Sequence, residues 1–184
     1  MWHVKRLIAD LEQDAARYVG LGGWMQNRGF WAGATYRVGR WARPLPAPLR
    51  WPILVPQKIL DRAIRGLLNV RISARAQIAP GLCIIHPWNV MIGPAEIGEN
   101  FMIFHEVTIG SNANTPDTFP TIGNNVNVFA GARVLGAIRV GDDANIGANC
   151  VVTSGVPPGS SVVPAANRVV SAAAVAAFGV RKGT

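Results

Sequence analysis

Aliphatic residues recur every six positions through the second half of the chain: Ile72, Ile78, Ile84, Val90 and, after one extra residue, Ile97, Ile103 and Ile109. After an interruption the series resumes at Ile122, Val128, Val134, Val140, Ile146 and Val152. Four positions after most of these aliphatics stands a small or apolar residue, as at Ala76, Leu82, Phe101, Val107, Val126, Ala132, Ile138, Ala144 and Cys150. Glycine often follows directly, as in Ile97-Gly98, Ile122-Gly123 and Val140-Gly141. A helix repeats at 3.6 residues and a simple strand at 2, so a period of six is neither. It predicts a coil with a turn in every hexad: the aliphatic points into a narrow core, the residue four on fills the corner, and glycine permits the turn. Three hexads close one triangular coil, and successive coils stack as parallel strands about 4.8 Å apart.

The first 70 residues carry a different pattern. Val4, Leu7, Ile8, Leu11, Ala15 and Tyr18 keep helical spacing over 4–18, ended by Gly20, Gly22 and Gly23. A second helix is predicted over 27–42. A stiff Pro-rich connector over 43–48 leads to a third helix over 51–68, with Pro52 tolerated in its first turn and a kink at Pro56. The fold class is therefore mainly β: a parallel β-helix preceded by an α-helical segment. The expected divisions are helices over 1–70, β-helix over 71–170 with a loop insertion at 110–121, and a tail over 171–184.

Composition narrows the picture. The chain has 184 residues, 49% hydrophobic and 15% charged, enough to bury a core and too apolar to be disordered. Its two cysteines, Cys83 and Cys150, exclude a disulfide scaffold and a zinc ribbon and fit a reducing, cytoplasmic setting. The N-terminus reads as neither a signal peptide nor a membrane span. Residues 1–71 hold 12 Lys/Arg against 4 Asp/Glu, whereas 72–184 hold 6 against 6, so the whole net charge of +8 sits in the helical segment. Trp24, Trp31, Trp41 and Trp51 interleave there with Arg28, Arg37, Arg40, Arg43 and Arg50. Two readings stay open: peripheral contact with an anionic membrane face, or helices packed on the β-helix or on neighbouring subunits with arginines in solvent. No nucleic-acid motif accompanies the charge, so nucleic acid is not an expected partner.

The candidate chemistry rests on register. His86 lies two residues after Ile84 and His105 two after Ile103, three hexads apart, so both imidazoles should share one outer edge in adjacent coils. Carried on, the column reads His86, His105, Ala130, Ala148. A neutral histidine can take a proton from a hydroxyl near neutral pH, and small residues above it leave a flat track for a long ligand. Two histidines aligned by accident remain the plain alternative. A metal is not expected, because no carboxylate stands at matching register. The insertion from Gly110 to Pro120 is read as a lid over the histidines or as a tolerated surface loop. Cys150 reads as core filler, and neither thiol has a base at its register.

At these residues the sequence resembles the serine acetyltransferase family of hexapeptide acyltransferases, and within it the branch of exopolysaccharide (colanic-acid-type) biosynthesis. The resemblance is carried by Gly29-Phe30 through Tyr36-Arg37, by Cys83 to Gly93 around His86, by Phe101 to Gly110 around His105, by Ala130 to Gly136, by Ile146 to Ala148, and by Val156-Pro157-Pro158 with Arg168. It implies a left-handed β-helix and an acetyl-CoA-dependent O-acetyltransferase. His86 would deprotonate an acceptor hydroxyl, with His105 beside it and no acyl-enzyme. The cofactor contacts implied are Gly110, Ala130, Gly131, Ala148 and Arg168. The implied assembly is a homotrimer, or a dimer of trimers, with the pantetheine arm in a groove between subunits.

The departures bear on the acceptor. Serine enzymes carry Asp just before the catalytic histidine, where this chain has Ile85, and Arg-His before the loop proline, where it has Thr118-Phe119. Their amino-binding Asp corresponds loosely to Asp14. A zwitterionic substrate needs charged partners. The expectation is therefore a sugar hydroxyl, free or lipid-linked, in surface polysaccharide assembly, with Trp88 and Phe119 stacking on the ring. Serine O-acetyltransferase is the alternative, and a non-catalytic hexapeptide scaffold the third reading.

Overall fold

The structure, a computed structural model, describes residues 2–111 and 118–165. Three helices come first: α1 (Trp2–Ala16), α2 (Arg28–Ala42) and α3 (Ala47–Leu68). Helix α3 starts four residues earlier than the spacing predicts, because Pro48 falls in its first turn, where a proline's missing N–H is no loss. It continues through Pro52 and Pro56 to Leu68.

Among the described residues fourteen short strands then wind into three parallel sheets. The first holds β1 (Arg71–Ile72), β4 (Met91–Ile92), β7 (Thr108–Gly110), β10 (Arg133–Leu135) and β13 (Val151–Val152). The second holds β2 (Gln77–Ile78), β5 (Glu96–Ile97), β8 (Thr121–Ile122) and β11 (Arg139–Val140). The third holds β3 (Cys83–Ile84), β6 (Met102–Ile103), β9 (Asn127–Val128), β12 (Asn145–Ile146) and β14 (Ser161–Val162). The chain visits the sheets in rotation, so each circuit is one three-sided coil. The predicted inward aliphatics are buried, among them Ile78, Ile84, Ile103, Ile109, Ile122, Val128 and Val134.

The repeat slips at one place other than expected. Ile92, not Val90, pairs with Ile109 as the inward residue of β4, and Val90 fills the corner. The corner after β3 is thus two residues longer than the corner after β6, and the next stretch, Ile92 to Ile97, one residue shorter than a hexad. The glycines after the aliphatics also serve a purpose other than the turn. A Cβ at Gly123 would lie 2.2 Å from the Asp142 carboxylate of the next coil, so glycine is required there by close approach. The left-handed backbone on that edge is taken two residues later by Asn100, Asn125 and Asp143.

The first coil has no coil beneath it, and its exposed edge would leave N–H and C=O groups unpaired. The helices cover it. Asp14 Oδ1 accepts from the N–H groups of Gly81 and Leu82 at 2.8 Å each, and the Tyr18 hydroxyl accepts from the Ile84 N–H at 2.8 Å. Arg37 donates to the carbonyls of Ile78 and Ala79 at 2.6 and 2.8 Å, Arg43 donates to that of Ala74 at 3.0 Å, and Tyr36 and Arg40 both donate to Ala76. Three of the five arginines noted beside the tryptophans are therefore edge caps on the β-helix.

Candidate active site

The corner between the third and first sheets carries the histidines. Ile84 pairs with Ile103, and Ile103 with Val128, so His86, His105, Ala130 and Ala148 each stand two residues after a paired strand residue on the same edge. The imidazole centroids of His86 and His105 lie 6.2 Å apart at 67°, edge to face. This exceeds one strand spacing because of the two extra residues in the first coil's corner. His86 adopts φ 51° there and Asn89 φ 54°, and the loop between them pushes Trp88 outward, exposed beside the rings. The ladder carbonyl beneath Glu106 N–H is that of Trp88, at 2.8 Å, while Gly131 N–H bonds the His105 carbonyl at 3.1 Å. Left-handed backbone is uncommon outside glycine, and histidine, with asparagine and aspartate, is among the side chains that take it most readily.

Beneath it, α1 and α2 set β3 in place. A Cβ at Gly29 would lie 2.0 Å from the Ile84 carbonyl, so only glycine lets α2 approach this strand. Tyr18, Phe30 and Cys83 form a small buried cluster under the strand. Burial pushes the Tyr18 phenol well above its ordinary range and the Cys83 thiol upward too. Cys83 is thus an inert core thiol.

His105 is half-buried, and its Nδ1 is buried with no hydrogen-bond partner among the described residues. A buried ring nitrogen without a partner costs about 1–3 kcal/mol. Above it Ala130 is half-buried and Ala148 exposed. Gly131, at φ 74°, faces Asn149 so closely that a Cβ would meet the amide oxygen at 2.1 Å. Sequence reasoning missed the neighbouring row: Phe104 and Phe129 stack at 5.2 Å beside His105 and Ala130. Both stand one residue after a paired aliphatic, which was the available signal.

Other expected site residues lie elsewhere. Asp14 is buried, its carboxylate paired with Arg37 at 2.8 and 2.9 Å and accepting two backbone N–H groups. It is a structural clamp, not an open receptor for a substrate amine. Phe119 lies on the edge between the first and second sheets, with the Arg75 guanidinium 5.4 Å from its ring centre, so within one chain it does not reach Trp88 or the histidines. Gly110 ends β7 at that same edge, its carbonyl accepting from Gly136. Arg168 and loop residues 112–117, with the lid reading, lie outside the described residues. Among the described residues no group of three or more His, Cys, Asp or Glu is placed to hold a metal, and no helix is long and apolar enough to cross a membrane.

A three-sided hexapeptide coil with paired histidines at an outer corner and a track of small residues above them defines a hexapeptide-repeat acyltransferase. Residues 119–154 match the family model of the bacterial transferase hexapeptide, six repeats. The serine acetyltransferase of Helicobacter pylori strain J99 is 43% identical over 116 residues, covering 62% of this chain and 68% of the relative. That of Synechococcus elongatus is 35% identical over 172 residues, covering 90% and 68%. A solved serine acetyltransferase in complex with CoA superposes with a TM-score of 0.70 at 27% identity, covering 86% of this chain and 68% of that one. The chain belongs to the serine acetyltransferase family, and its coil is the left-handed β-helix of that family. It spans about two thirds of the length of these relatives. They are serine acetyltransferases, and the expected exopolysaccharide branch finds no support in them.

Proposed function

We propose that this chain moves an acetyl group from acetyl-CoA to the hydroxyl of serine, with His86 as general base. The observation that carries the reading is the pair of imidazoles, 6.2 Å apart, at an outer corner beneath the Ala130–Ala148 track. His86 takes the proton of the acceptor hydroxyl as its oxygen adds to the thioester carbonyl. The C–S bond then breaks, the acetyl ester is released, and the imidazolium returns its proton to the departing thiolate, leaving free CoA. No acyl-enzyme is needed. His105, whose ring lies 6.2 Å from that of His86 on the neighbouring coil, orients the acceptor. Ala130, Gly131 and Ala148 fit an extended pantetheine arm because nothing larger than a methyl group projects from them, with Gly110 and Arg168 as further contacts. Phe119 and the histidines occupy different edges of one prism. A homotrimer, in which the Phe119 edge of one copy faces the histidine edge of the next, brings them together. The acceptor named by the relatives supports serine.

A second reading, transfer to a sugar hydroxyl, is favoured by one observation. Ile85 precedes His86 and Trp88 stands two residues after it, neither of them charged, and the Asp14 carboxylate is committed to Arg37. The test is CoA thiol release from acetyl-CoA with free L-serine, nucleotide sugars and lipid-linked oligosaccharides as acceptors. Saturable release with serine supports the first reading, and release with sugars alone supports the second. No release with any acceptor overturns both and leaves the scaffold.

A further inference from the structure

Helix α3 carries apolar residues on two faces, one packed and one bare. Its buried and half-buried positions, Arg50, Ile53, Leu54, Gln57, Asp61, Ile64 and Leu68, share one face and pack on α2 and the first coil. Gln57 donates to the Thr35 carbonyl of α2 at 3.0 Å. The opposite face carries Leu49, Pro52, Pro56, Ile59, Ala63 and Leu67, at steps of three and four, all exposed and none charged. Leu67 is 72% exposed and Ile59 68%, more than solvent alone explains for the outer face of a helix. One flank of this face is a basic stripe of Lys58, Arg62 and Arg65, Arg65 being paired with Asp61. Trp51 sits at the boundary, with Arg50 and Lys58 at 5.6 and 5.8 Å from its ring centre.

Two occupants compete for such a face: a second copy and a lipid surface. Charge decides between them. Helix α3 holds four basic residues (Arg50, Lys58, Arg62, Arg65) against one acid (Asp61), a net +3, inside a segment of net +8. Packing two copies through this face sets basic stripes near basic stripes, whereas an anionic lipid surface complements them. A bare apolar face, a basic flank and a boundary tryptophan are the requirements of a helix lying in the plane of a bilayer interface. We infer that the outward face of α3 docks on anionic membrane surfaces, placing the transferase beside the bilayer. The helix lies on the surface, since no helix of the described residues is long and apolar enough to cross.

The test is co-sedimentation of the full chain with vesicles of phosphatidylcholine alone, or with about a third phosphatidylglycerol, at low and high salt, with light scattering for the molar mass in solution. The expected result is binding to the anionic vesicles that falls with salt, and little to the neutral ones. Lys58→Gln with Arg62→Gln should weaken it about thirtyfold, the attraction of two basic side chains. Ile59→Ser with Leu67→Ser should weaken it at least about tenfold by removing buried apolar surface. Both variants should keep the wild-type acetyl-transfer rate in vesicle-free solution, which shows that they fold. Failure of the wild type to bind anionic vesicles at low salt overturns the inference. Unchanged vesicle binding by both double variants does so as well. A drop in molar mass on Ile59→Ser with Leu67→Ser, without loss of vesicle binding, assigns the face to a second copy instead.

Discussion

Two edges of the same prism are built from the same repeat and finished in opposite ways. On the edge between the second and third sheets, Asn100, Asn125 and Asp143 stack, with Asn100 donating to Asn125 at 3.1 Å and Asn125 to Asp143 at 3.0 Å. Beside them Asn124 and Asp142 accept from the N–H groups of Glu99 and Asn124 at 2.8 and 2.7 Å. Each of these donors meets an acceptor in the next coil, and asparagine and aspartate, like histidine, tolerate the left-handed backbone better than most side chains. On the edge between the third and first sheets the corresponding corner holds two histidines and then two alanines. One imidazole sits at φ 51°, the other has a buried Nδ1 without a partner, and the backbone swells by two residues around Trp88. The first edge satisfies itself. The second is finished with imidazoles, which can accept and return a proton, and with small residues that leave room for a ligand.

Substitutions sharpen this contrast. His105→Ala removes the imidazole beside His86, so turnover should fall about a hundredfold or more, while the loss of a buried nitrogen with no partner among the described residues costs the fold little; steady-state rates with a melting curve check both halves. Asp14→Ala strips the buried Arg37 guanidinium of its carboxylate, and chemical denaturation should show a loss of about 3–5 kcal/mol. Asn125→Ala breaks the ladder on the quiet edge and should destabilise by about 1–2 kcal/mol with kcat within about twofold of wild type. A large fall in kcat there would erase the distinction between the edges. The smallest effect is chemical. With its thiol pushed up by burial, Cys83 holds little thiolate at neutral pH. Its alkylation by iodoacetamide should therefore be slow in the native protein, fast in denaturant, and should rise with pH only above the ordinary cysteine range.

The coil was legible in the sequence because an inward aliphatic every six residues leaves no other periodic structure to adopt, and Ile84, Ile103 and Val128 sit where the count puts them. The count failed at Val90, since valine also fills a corner well, and nothing in composition separates a lengthened corner from a shifted strand. Glycine was read as a turn former, whereas Gly123 is dictated by Asp142 in the next coil, a contact eighteen or so residues distant and invisible locally. Asp14 and Phe119 were grouped with the histidines by resemblance. Burial beside Arg37 removes the first, and the third dimension removes the second, because Phe119 stands at the corner between the first and second sheets and the histidines at the corner between the third and first. The arginines were read as a single surface feature, and only the open edge of the first coil shows why Arg37, Arg40 and Arg43 point inward while Lys58 and Arg62 do not.

The most direct test of the account sets His86→Ala beside the wild type in acetyl-CoA thiol release, with the preferred acceptor saturating and thermal midpoints recorded on the same samples. The account predicts a rate lower by about a hundredfold to ten-thousandfold, with the chain still folded and a midpoint lowered only slightly, since alanine keeps a Cβ on the left-handed backbone at φ 51°. Turnover within a few fold of wild type would contradict it, leaving the paired imidazoles without a catalytic part.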